Sequence, residues 1–138
     1  MNDELIKTNS ANSLNPNLEG AAPSRDLRVR TKAFALRIVR LYSALPKTTE
    51  SQVLGKQMLR SGTSVGAHYR EAKRARSAAE FVSKIEVGLQ ELEETIYWLE
   101  LLHDAEIIQP SFLRGLLKEA QELASIFVAS AKTAKKSK

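Results

Sequence analysis

Residues 82–103 read VSKIEVGLQELEETIYWLELLH. In this stretch Val82, Ile85, Leu89, Leu92, Ile96, Leu99 and His103 follow one another in steps of three and four. Phe81, Gly88, Thr95 and Leu102 form a second row that repeats every seven residues. A half-buried strand would alternate at every second residue, whereas this spacing lays both rows along one side of an α-helix. Such a seam cannot be buried alone and calls for partner helices of the same kind. Ser77, with Glu80 three residues on, forms a capping box at its start. A helix is predicted over 77–106, about 45 Å long at 1.5 Å rise per residue.

The same period recurs on both sides of this stretch. Leu27, Phe34, Ile38, Leu41 and Leu45 predict a first helix that starts near Ser24 or Asp26 and stops before Pro46. Leu54, Met58, Ser61, Val65, His68 and Ala72 predict a second, capped by Thr49 with Gln52 closing a capping box and ending near Arg76. Gly55, Gly62 and Gly66 lie along its side, where another helix could approach closely. Pro110 opens a fourth, with Leu113, Leu116, Ala120, Leu123, Phe127 and Ala131 on its apolar face. Short links force neighbours to alternate in direction. The predicted fold is therefore all-α: an antiparallel up-down-up-down four-helix bundle over residues 25–132. A disordered N-terminal tail over 1–24, rich in Asn, Ser, Pro and Gly, precedes it, and a basic tail over 133–138 follows.

Composition narrows the possible chemistry. The chain of 138 residues has no cysteine, so disulfides, thiolate metal sites and a cysteine nucleophile are excluded. No run of about 18 uncharged apolar residues is present, and the start lacks a secretory pattern. The expected compartment is the cytoplasm, with no membrane partner. Glu100-Leu-Leu-His103 has the E-x-x-H spacing of di-iron bundles, but those sites need the motif twice with two further carboxylates, and here it occurs once. Neither a G-x-S-x-G elbow nor a phosphate-binding glycine loop occurs. The expectation is a non-enzymatic protein without cofactor or metal.

Charge is segregated along the chain. The net value of +5 divides into −2 over 1–24, +10 over 25–76, −7 over 77–106 and +4 over 107–138. Arg70, Lys73, Arg74 and Arg76 fall within two turns at the end of the second helix, while Arg37 and Arg40 belong to a basic face on the first. Such clusters neutralise nucleic-acid phosphates. The competing explanation is internal pairing, with the acidic third helix offsetting the first two. Tyr69 is the only aromatic residue near the arginine run, which argues against stacking on single-stranded bases.

Two ordered strings carry a family resemblance. Gln57-Met-Leu-Arg60-Ser-Gly-Thr-Ser64-Val-Gly66-Ala67 resembles Q-L-x-R-S-x-x-S-I-x-A-N, and Glu80-Phe81 with Leu89-Gln-Glu91-Leu92-Glu93-Glu94-Thr95 resembles E-F…L-x-E-x-E-T. Both are similar to segments of the four-helix-bundle proteins of bacterial 23S rRNA intervening sequences, over about residues 27–130. The chain departs from them at His68-Tyr69 and Arg70-Glu71-Ala72. The resemblance implies a homo-oligomer, pentameric among relatives. It also implies kinship with the accessory protein of diversity-generating retroelements, whose partners are a reverse transcriptase and nucleic acid. Arg60, between the seam positions Met58 and Ser61, is expected to make a partly buried, bidentate ion pair with Glu93 or Glu91 that sets helix register.

Overall fold

A computed structural model describes residues 26–136. They form four helices: α1 (Leu27–Ala44), α2 (Thr49–Lys73), α3 (Ala78–Asp104) and α4 (Pro110–Lys136). The expectation of a disordered segment over 1–24 lies outside the described residues. Helix α4 runs on through Lys136, so residues 133–136, predicted as part of a tail, extend its last turns instead.

Each helix starts where its chemistry allows. The Asp26 side chain accepts from the Arg28 amide at 2.9 Å, and α1 ends at Ala44 because Leu45 is extended ahead of Pro46. Thr48, not Thr49, caps α2, its hydroxyl accepting from Ser51 N–H at 3.3 Å. Gln52 therefore closes no box. Its amide donates to the Pro46 carbonyl at 3.0 Å and its oxygen accepts from the Tyr42 hydroxyl at 2.9 Å, tying the α1–α2 turn to α1. Ser77 caps α3 through the Glu80 amide at 3.0 Å.

The end of α3 has no glycine or proline signal. Glu106 adopts φ 62°, the left-handed conformation, and completes a Schellman turn. Its amide donates to His103 O, and the Ile107 amide donates to Leu102 O, both at 2.9 Å.

Helix α2 packs between α1 and α3, and α3 between α2 and α4; α4 returns more sparingly to α1, leaving α1 and α3 at opposite corners. Neighbours are antiparallel. Along α2–α3, Arg60 meets Glu94, His68 meets Glu91 and Glu71 meets Lys84, so the contacts rise on one helix as they fall on the other. Phe34, Ile38, Leu41, Met58, Ile85, Leu92, Leu99, Leu116 and Phe127 are all at most 1% exposed and fill the interior. The α1–α2 approach depends on Gly62: a Cβ there would come within 2.9 Å of the Ile38 side chain.

Candidate nucleic-acid interface at the basic end of the bundle

In this topology the start of α1, the end of α2, the start of α3 and the end of α4 share one end of the molecule. Arg70 and Lys73 occupy the last turn of α2, Arg74 is its C-cap and Arg76 lies in the turn to α3. All four are exposed, and none makes an ion pair with another described residue. Their charges complement the C-terminal pole of α2. Arg70 also faces Arg28 and Lys32 of α1 across a shallow groove floored by Val29, Ala33 and Leu36.

Glu71, inside the basic run, is drawn away from it. Lys84 of α3 reaches its carboxylate at 2.9 Å, and His68 Nδ1 lies 3.8 Å away. The hydrogen bond and charge of Lys84 hold the Glu71 carboxyl below its usual range and raise the Lys84 ammonium in turn. The one acid within the run is thus engaged across the helix interface.

The two remaining cations named from the sequence lie elsewhere. Arg37 and Arg40 sit roughly 14 and 18 Å further along α1 than Arg28, at 1.5 Å per residue. Arg37 is turned toward α4, beside Gly115. Burial lowers its pKa, and the Glu119 carboxylate partly counters this. It is a packing arginine. Arg40 is exposed on the outer face of α1. The structure does not bring either into the cluster.

It brings others instead. Lys132, Lys135 and Lys136 ride on the last turns of α4 to the same end, with Lys135 Nζ 3.3 Å from Glu86. Helix parity holds the signal for them, since in an antiparallel bundle the ends of the second and fourth helices coincide.

Internal pairing accounts for only part of the charge segregation. The acidic α3 is diagonal to α1, and the ion pairs of α1 run to α4. Arg30 grips both oxygens of Glu119 at 2.8 Å and reaches Glu122 at 3.2 Å. On α2, Arg60 Nη1 contacts Glu91 at 3.3 Å and Nη2 contacts Glu94 at 2.8 Å. Arg60 therefore spans two carboxylates and does not grip one bidentately. Its side chain is 53% exposed, while that of Glu91 is only 10% exposed. Glu93 points to solvent, one position out of register with Arg60. The burial belongs to Glu91, whose Oε1 accepts no hydrogen bond from the described residues and whose Oε2 lies 3.7 Å from His68 Nε2.

Among the described residues, the aromatic side chains nearest the basic end, Tyr69 and Phe81, are partly buried against the core. Tyr69 is half-buried with its ring centroid 6.0 Å from that of Phe127. Among the described residues no three His, Asp or Glu converge where they could hold a metal ion, and no helix is long and apolar enough to cross a membrane.

Comparison with known proteins agrees with this architecture. The family model described as "23S rRNA-intervening sequence protein" matches residues 25–129. No curated protein matches the chain. A crystal structure from Bacteroides thetaiotaomicron, of a protein of unknown function from the S23 ribosomal protein family, superposes with a TM-score of 0.72 at 39% identity. The match covers 76% of this chain and 97% of that one.

Proposed function

The chain belongs to the 23S rRNA-intervening sequence protein family, and on that footing we propose that it is a binding and assembly module, not an enzyme, whose basic end takes up the phosphate backbone of RNA or DNA. The observation that carries this reading is the convergence of Arg70, Lys73, Arg74 and Arg76 with Arg28 at one end, where the intervening Glu71 is occupied by Lys84. Cations at or beside helix termini that pair with no described residue are available to release counterions from a polyanion. With Tyr69 packed against Phe127, the contact is with phosphates and carries little base readout.

The test is titration of labelled RNA and duplex DNA at 50 and 200 mM salt. Binding falls by about a thousandfold or more across that range when six or more phosphates are contacted. Replacing Arg70, Lys73, Arg74 and Arg76 together by Gln abolishes it at the higher salt, while Lys56→Gln leaves it within about twofold, because the exposed Lys56 lies roughly 21 Å along α2 from Arg70. Absence of binding at 50 mM salt removes the reading.

The same proposal has copies of the chain associating with one another. Val29, Leu36, Val39 and Tyr97 support this part: each is large, apolar or aromatic, and at least 40% exposed.

A further inference from the structure

The outward faces of α1 and α3 have opposite charge and similar spacing. On α1, Val29, Ala33, Leu36, Arg40 and Ser43 recur in steps of four and three, and all are exposed. Val29 is 52% exposed and Leu36 43%. Lys32 and Arg40 flank the apolar pair and make no ion pair with a described residue. On α3, Glu86, Gln90, Glu93, Tyr97, Glu100 and Asp104 follow the same four-and-three spacing, also exposed. Tyr97, 53% exposed, stands at the centre of this acidic row, braced edge-on by Trp98 at a centroid distance of 5.0 Å. Glu93 and Glu100 on either side of it make no ion pair with a described residue.

Each row has the period of a bundle seam, and no described residue covers it. One is cationic around an aliphatic pair and the other anionic around an aromatic ring. They stand at opposite corners of the bundle, so they cannot meet within one copy. We infer that the α1 face of one copy docks on the α3 face of the next, a head-to-tail contact in which Lys32 and Arg40 meet Glu93 and Glu100 while Leu36 and Val29 cover Tyr97. The inference rests on the proposed self-association and adds the surfaces that make it. Two like faces could not pair this way, because cations would meet cations and acids would meet acids. A contact between unlike faces repeats from copy to copy and gives a ring when its rotation closes, or a filament when it does not.

The experiment is light scattering on the purified full chain, free of nucleic acid, with charge reversals far from the core. Wild-type protein runs as an assembly of more than two copies. Lys32→Glu with Arg40→Glu on α1 gives monomers, and so does Glu93→Lys with Glu100→Lys on α3. An equimolar mixture of the two variants regains higher-order assembly with the two variants alternating, because the wild-type α1 face of one meets the wild-type α3 face of the other and the two reversed faces meet in the swapped sense. The chain carrying all four substitutions regains higher-order assembly through the swapped contact. Wild-type assembly that both reversals leave intact overturns the α1–α3 contact alone. A folded pair of variants that stays monomeric on mixing also overturns it. A monomeric wild-type chain overturns this contact and the self-association reading together, while RNA titration of the same sample reports separately on the basic end.

Discussion

At the residue scale, Arg60 and Glu91 show how burial and charge divide between two partners. The guanidinium is mostly in water, whereas the carboxylate it serves is nearly enclosed between α2 and α3. Removing Arg60 costs more than an exposed ion pair would, because an enclosed charge is left with only the more distant His68 beside it. Arg60→Ala is expected to destabilise the protein by about 1–2 kcal/mol. Adding Glu91→Gln to that background should recover part of the deficit by removing the stranded charge. Urea unfolding of the four proteins in this cycle measures the coupling, and a double variant less stable than Arg60→Ala would contradict the account. One step away, the Thr95 hydroxyl donates to the Glu91 carbonyl at 2.7 Å. Its single proton being committed, Ser61 Oγ donates to Thr95 Oγ1, also at 2.7 Å. The Ser and Thr positions in the two seams thus form a buried hydrogen bond. The apolar period places them inside, but their pairing depends on the register of two helices far apart in sequence.

At the scale of elements, the helix starts were readable and one helix end was not. Asp26, Ser77 and Pro110 announce the starts of α1, α3 and α4 by local chemistry, since each satisfies or dispenses with an amide that the first turn leaves unpaired. The one-residue shift from Thr49 to Thr48 at α2 arises because two adjacent threonines can both cap, and the bonds from Gln52 to Pro46 and Tyr42 select the earlier. The α3–α4 turn departs from local preference. A glutamate holds the left-handed position that glycine fills most readily, at a cost of about 1 kcal/mol. Glu106→Gly is expected to raise stability by roughly 0.5–1 kcal/mol by relieving that conformation. Thermal unfolding reads this directly, and a lower midpoint for the glycine variant would show that Glu106 has a compensating contact.

At the scale of the whole molecule, parity of four alternating helices concentrates the charge. Residues 70–76 and 132–136 are far apart in the chain and meet at one end because α2 and α4 run the same way. The α4 lysines should therefore act with the α2 arginines on a bound polyanion. Lys132→Gln with Lys136→Gln is expected to weaken binding alike for all sequences. It should also flatten the plot of log affinity against log salt by about 0.9 for each phosphate that the variant leaves unneutralised. An unchanged slope would confine the contact to α1 and α2.

The spacing of apolar residues alone determined the four helices of the described residues and most of the large side chains that enter the core, because periodicity is a local property that water reads one turn at a time. The glycine row on α2 likewise marked the close approach to α1, where Gly62 meets Ile38. Only the tertiary structure decided which charges neutralise one another. Arg30 went to α4 and not to the acidic α3, Arg60 took Glu94 in place of Glu93, and Arg37 became packing and not surface. Ion pairing acts over a few ångströms and depends on which corners of the bundle adjoin, and that adjacency exists only once all four helices have packed.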